Sequence, residues 1–187
     1  MEQIGKLQNN QKYWQDFYSR DHILAPSDFC LFLLENYDIS NKEIVDICCG
    51  NGRDTYALGI AAKKAIGVDF ANEPVNEIGV EFVQSDINDY LSDKSDLSIY
   101  SRFGFHAFDE QTENCVIDSA KELYLEFRSD KDNQFVDDHY RRLINGNGFL
   151  NKLIDKDFTI RYFVESKGLA VYKTFDPYII RVICRRK

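Results

Sequence analysis

Residues 44–55, IVDICCGNGRDT, constrain the fold of this chain more than any other stretch. An apolar run, Ile44, Val45 and Ile47, carries one acid, Asp46, and then breaks into a loop built on Gly50 and Gly52. The pattern that follows, from about 54 to 62, is helical. A strand that ends in a glycine-bearing turn and passes into a helix is how many α/β folds seat a nucleotide-like ligand.

The flanking segments extend this unit. An amphipathic helix is expected over about 7–18, and a second helix after Pro26, where Ser27 can cap FCLFLLENY. Strands are expected over 43–48, in AIGVDF, in VEFVQSD, in DLSIYSRF from about 96, and in LYLEFRS. A helical or loop segment stands around 72–77, and 110–121 reads as helix. The polar segment SDKDNQFVDDHYRRLINGNG precedes a short helix around 149–154, and the strands FTIRYFVES and PYIIRVICRR close the chain. Alternation of strands and helices implies a parallel sheet covered on both faces, with ligands at the carboxyl ends of its strands. Only GLAVYKTFD joins the last two strands, so they should form an antiparallel pair.

Composition bounds the function. A length of 187 residues suits one domain, with an N-terminal helical segment over 1–40 and a core over 43–187. A net charge of −8 argues against a general affinity for nucleic acid, where a basic surface supplies most of the attraction, though a local basic site remains open. The start resembles no signal peptide and no apolar run reaches membrane-spanning length, so a cytoplasmic protein without membrane partners is expected. The five cysteines show no CxxC spacing. Cys48 and Cys49 read as small apolar fillers, and no metal is expected.

Spacing separates the candidate cofactors. No GxxxxGK[ST] is present, and the third glycine of a dinucleotide fingerprint is replaced by Thr55, which disfavours NAD. The run from Asp46 through Cys48 to Gly50 and Gly52, followed by two further strand-end acids, Asp69 and Asp86, resembles the class I S-adenosylmethionine (SAM) methyltransferases over about 43–187. The departure is Cys48, where that family usually has its first glycine. The resemblance implies a three-layer Rossmann-like α/β sheet, mostly parallel with a C-terminal antiparallel pair, SAM as cofactor and S-adenosylhomocysteine (SAH) as product. It also implies the site. Gly50 and Gly52 would let the backbone approach the methionine part, and Asp46 would meet its ammonium. Asp69 would accept from ribose hydroxyls, and Asp86 would stand near the adenine amino group, with Phe70 and Ile87 on the adenine faces. Arg53 and Tyr100 are grouped with this set. An N-terminal segment often lies over the cofactor in this family, so Tyr13 or Trp14 is a lid candidate, while Phe17 is expected to pack in the core.

The acceptor side is the basic rim. YSRFGFHAF, EFRSDKD and HYRR bring Arg102, His106, Arg128, Lys131, His139, Tyr140, Arg141 and Arg142 toward the carboxyl edge. Arginine presents a rigid fork suited to phosphate or carboxylate, which points to a small anionic acceptor. The competing reading is a set of salt bridges to Glu126, Asp130, Asp132, Asp137 and Asp138. These motifs, with a terminal IIRV, resemble a group of small bacterial methyltransferases associated with surface or capsular polysaccharide modification. That resemblance implies a phosphorylated sugar, phosphoramidate or nucleotide-linked acceptor. A neutral hydroxyl acceptor would need a base, for which His106 and His139 are candidates with Glu126 and Glu165 behind them; an anionic oxygen would need none. A non-catalytic SAM-binding module, a nucleotide-dependent oxidoreductase and an RNA methyltransferase are the rival readings.

Overall fold

Val45, Ile47, Ile66 and Val68 alternate with Ile44, Ala65 and Gly67 along two adjacent strands, and all but the glycine belong to a buried core on one face or the other. Strands buried on both faces belong in the middle of a helix-covered parallel sheet, and the computed structural model places them there. It describes residues 11–16, 25–71, 74–132, 142–171 and 174–187. In chain order the elements are α1 (Asp28–Asn36), β1 (Glu43–Ile47), α2 (Arg53–Ala61), β2 (Lys64–Asp69), β3 (Val80–Gln84), α3 (Ile87–Leu91) and β4 (Leu97–Arg102). A 3-10 turn (Phe105–Ala107), α4 (Glu110–Ser119), β5 (Ala120–Arg128), α5 (Gly146–Asp155), β6 (Phe158–Ser166) and β7 (Ile179–Arg186) complete the set. Residues 11–16 are also helical.

The seven strands form one sheet in the order β3-β2-β1-β4-β5-β7-β6. Pairings from β3 across to β5 are parallel, and β7 runs antiparallel to both β5 and β6. The expected architecture, with its C-terminal antiparallel pair, is therefore present. The order reverses between β1 and β4, and such a switch point opens a crevice at the carboxyl ends of the two strands.

One face is covered by α1 and α2, whose Phe29, Cys30, Leu33 and Leu58 pack on Ile44, Tyr100, Tyr124 and Ile183. The other is covered by α3, α4, α5 and the 3-10 turn. At its centre the rings of Phe105, Phe127 and Phe149 contact one another at 4.9–5.8 Å between centroids.

Three boundaries differ from the sequence pattern, each for a local reason. Helix α4 stops at Ser119 and β5 starts at once, because Arg186 reaches across to the carbonyls of Ile117 and Ala120 and caps the helix end. Helix α3 was not expected. Its five residues are too few to show a period, but Asp86 caps them by accepting from Asn88 N at 2.8 Å. Helix α5 starts earlier than expected because Asn145 caps it. The Ser27 cap is present, with Oγ accepting from Cys30 N at 3.1 Å. Around 72–77, Asn72 and Glu73 lie outside the described residues, and Glu77 bridges back to Val80. No helix among the described residues is long and apolar enough to cross a membrane.

Candidate functional site at the switch point

Strand β1 delivers the chain to the crevice at Ile47, and the loop turns through three left-handed residues, Cys48 (φ 57°), Gly50 (φ 59°) and Gly52 (φ 76°). A Cβ disfavours that backbone by roughly 1–2 kcal/mol, so glycine is the usual occupant. Cys48 therefore accepts a glycine conformation at the position where the methyltransferase pattern has glycine. Its Sγ packs under the loop that follows β4: a Cβ on Gly104 would stand 3.2 Å from that sulfur and 2.6 Å from Ser101 Oγ. On the other side, a Cβ on Gly52 would stand 2.5 Å from the Phe82 ring. Burial, then Asp69, holds the Cys48 thiol well above its ordinary pKa, and burial and Asp46 do the same at Cys49. Both are protonated packing groups.

Three buried aspartates surround this loop. Asp69, at the end of β2, accepts from Gly50 N at 2.9 Å with one oxygen and from Ala71 N at 2.8 Å with the other. Asp46 accepts from Thr55 Oγ1 at 2.6 Å. Burial, reinforced by the nearby Asp54 carboxylate, pushes the Asp46 carboxyl well above the usual range, against the Thr55 bond. Asp54 accepts from Ser27 N (2.7 Å) and Oγ (2.7 Å) and from Tyr100 Oη (2.8 Å). Sequence reasoning missed Asp54, Thr55 and the second role of Ser27. The GRDT that follows the loop held the signal for the first two.

Tyr100 corrects an expectation. It is fully buried, stacked on Phe29 at 5.3 Å, with its hydroxyl on Asp54. It braces α1 against the start of α2 and presents no surface to a ligand. Ile87 is buried in the core at the first turn of α3, while Asp86 beside it is exposed. Phe70 is half-buried, and its carbonyl accepts from Gln11 Nε2 (2.9 Å) and Gln84 Nε2 (3.2 Å). Helical residues 11–16 are thereby tied to the strand-end loops. Within them Tyr13 is exposed and meets Trp14 edge-to-face. Arg53 opens α2 with Nε 3.8 Å from Asp54.

On the acceptor side, His139, Tyr140, Arg141, Asp137 and Asp138 lie outside the described residues, as does Phe17 of the N-terminal aromatics. The other basic groups sit against acids. Arg128 is 3.6 Å from Asp132, Lys131 is 2.5 Å from Glu165, and Arg142 pairs with the buried Glu113. Glu126 differs from its expected role as a base. It is 1% exposed, and its two oxygens are taken by Arg102 Nε (2.9 Å) and Arg181 Nε (2.6 Å). Burial raises its pKa, and the two arginines oppose the rise. Glu165 is likewise engaged by Ser129 and Lys131. His106 is buried in the 3-10 turn, its ring edge-on to Phe103 at 5.7 Å. Arg181 and Glu113 were missed; an arginine inside the apolar run YIIRVIC was the visible signal for the first.

No family model matches the chain. Over 64 residues it is 33% identical to the ribosomal protein L11 methyltransferases of Shewanella sp. strains ANA-3 and MR-4, a match covering 34% of this chain and 22% of theirs. The chain thus matches about a fifth of the length of these curated relatives. Among solved structures, a SAM-dependent methyltransferase from Anabaena variabilis ATCC 29413 superposes with a TM-score of 0.68 at 17% identity, covering 95% of this chain and 93% of that one. The structure of DhpI in complex with SAH gives 0.67 at 15%, covering 98% of each chain. TehB from Haemophilus influenzae gives 0.67 at 15%, covering 93% of this chain and 67% of that one. The fold at the switch point is one that SAM-dependent methyltransferases also have.

Proposed function

We propose that the crevice above β1 and β4 binds S-adenosylmethionine and that the chain catalyses transfer of its methyl group to a small anionic acceptor. The observation that carries this reading is the loop of residues 48–52, left-handed at three positions and surrounded by Asp46, Asp54 and Asp69. A buried carboxylate whose pKa is raised by burial and by its neighbour favours a cationic ligand. SAM brings an ammonium and a sulfonium. The Gly50 and Gly52 backbone would take the methionine part, and Asp46 the ammonium. A carboxylate has about four acceptor sites, so the two backbone bonds of Asp69 are compatible with acceptance from ribose hydroxyls. Asp86 and Phe70 border the place left for adenine.

The sulfonium supplies an already electrophilic methyl, so the protein's task is alignment of the acceptor and exclusion of water. The two carboxylates considered as bases, Glu126 on β5 and Glu165 on β6, are both held by cations or hydroxyls, which fits an acceptor oxygen that is already anionic and requires no base. A phosphorylated or phosphoramidate group on a sugar, as in surface-polysaccharide modification, has that chemistry. Calorimetric titration with SAM, SAH and NAD tests the cofactor. Micromolar binding of the first two without NAD is the expected outcome; binding of NAD alone, or of none, overturns it.

A further inference from the structure

We infer that Arg102 is the group that receives the acceptor's oxyanion, with Glu126 and Arg181 as the residues that position it. This rests on the methyl-transfer reading for its biological meaning, and on geometry for its chemistry. Arg128, Lys131 and Arg142 each face a nearby carboxylate, and Arg142 Nε also points to the carbonyl of Phe108. Arg102 is different. Among the described residues its Nε is engaged by Glu126 and its two terminal nitrogens make no hydrogen bond. Its side chain keeps 23% of its surface exposed, and its guanidinium lies 4.2 Å from the centre of the Phe103 ring. Phe103 is left-handed (φ 61°), the second strained non-glycine residue of the crevice after Cys48, and such strain collects where a ligand is clamped. Held at Nε and backed by a ring, a guanidinium presents its outer fork already oriented, which suits the two oxygens of a carboxylate or phosphate.

Charge and position agree. Glu126 pairs in register with Arg102 on β4 and Arg181 on β7, so the triad holds two positive charges on one carboxylate. Arg181 is 6% exposed and has Phe29 and Phe32 within 5.6 Å. Two cations on one carboxylate leave a net positive charge in these surroundings, which favours an anion beside the exposed part of Arg102. Asp46 on β1 stands opposite Tyr100 on β4, so Arg102, about 7 Å further on, is level with Cys48 and the start of the glycine loop. The fork therefore borders the methyl donor's crevice.

The test is an NMR titration of wild type and Arg102→Gln with inorganic phosphate and, separately, acetate, each with and without saturating SAH. The reporters are the Arg102 Nε–H signal, assigned by its loss in the variant, and the Phe103 amide. Saturable shifts of both in wild type are expected, with the Phe103 response weakened at least about tenfold in Arg102→Gln. Arg102→Lys, which keeps the charge and loses the fork, should fall between them. A response to phosphate alone identifies a phosphoryl acceptor, and a response to acetate a carboxylate. No saturable shift with either ion, or an undiminished Phe103 response in Arg102→Gln, overturns the inference. Failure of SAH to bind while phosphate still shifts Arg102 would remove the methyl-transfer reading and leave the anion site standing.

Discussion

Tyr100→Phe separates the role the structure gives this residue from the ligand role that the sequence resemblance implied. The ring stacks on Phe29 and fills the core beneath the loop, and phenylalanine keeps all of that packing. Only the hydroxyl is lost, and with it the 2.8 Å bond to Asp54 Oδ2, which Ser27 Oγ also engages at 2.7 Å, and a long 3.4 Å bond with Ser27 Oγ itself. A hydrogen bond to a charged group contributes about 1.5–3 kcal/mol. Asp54 keeps Ser27 N and Oγ as partners, so the loss should stay near the lower half of that range. At roughly 2–4 °C per kcal/mol for a chain of this size, the melting temperature should fall by about 3–9 °C. SAM affinity by calorimetry should stay within about threefold, since no ligand contact is removed. Because Ser27 Oγ and Tyr100 Oη share one oxygen, Ser27→Ala and Tyr100→Phe should be coupled in a double-mutant cycle. An unchanged melting temperature with a tenfold loss of SAM affinity would refute the bracing role.

The remaining expectations are shorter. Asp69→Ala should cost SAM affinity more than tenfold while circular dichroism shows the fold retained, because the side chain holds the loop at Gly50; unchanged affinity would remove it from the site. Cys48→Gly should lie within about 1 kcal/mol of wild type in urea unfolding, relief of the left-handed Cβ being offset by glycine's greater freedom when unfolded, whereas Cys48→Val should be clearly less stable; equal stability of the two would refute strain at Cys48. Glu126→Gln should destabilise by about 3–5 kcal/mol, leaving two guanidiniums on a neutral amide, which the same unfolding experiment reads. Asp46→Asn should be more stable than wild type at neutral pH without ligand, and bind SAM more weakly; a less stable variant with unchanged SAM affinity would refute the argument from buried charge. The sign follows from Asp46: burial and Asp54 raise its folded pKa above 3.8, so the folded state holds the proton longer, and stability falls as pH rises from there through the folded value. The advantage of the variant should accordingly vanish at low pH.

What the sequence made legible followed from local rules. The alternation of strands and helices, the Ser27 cap and the lack of a crossover before β7 each depend on a few adjacent residues, and each appears in the structure. The glycine loop was legible for the same reason, whereas Cys48 read as a departure from the pattern and its left-handed backbone came only with the structure. Cross-strand chemistry was not. Glu126 read both as a reserve base and as a salt-bridge partner, and the sequence could not choose, because Arg102 and Arg181 are brought to it only by the β4–β5 and β5–β7 registers. Tyr100 stood at the right end of the right strand, but strand parity turned it toward α1. Asp86 looked like a ligand by its place after β3; what the structure shows it doing is capping a helix too short to leave a period.

The buried glutamates and Asp46 are treated differently by the fold, and the difference bears on function. Glu113, Glu122 and Glu126 each lie within 4 Å of two cationic side chains: Arg142 and Lys152, Lys42 and Arg185, Arg102 and Arg181. These charges are settled within the fold. Asp46 has instead a hydroxyl partner, Thr55, and no ion pair among the described residues, and its carboxyl is held up by burial and a neighbouring carboxylate. A chain that supplies two cations to each of three buried glutamates had the means to neutralise Asp46 as well. Leaving it with Thr55 keeps an acid at the switch point whose charge a cationic ligand would stabilise, and binding of that ligand should lower the Asp46 pKa. SAM affinity should consequently rise as pH rises through the folded pKa of Asp46, in the range where the ligand-free protein loses stability. Affinity flat across that range, in both wild type and Asp46→Asn, would mean that the charge on Asp46 serves something other than the cofactor.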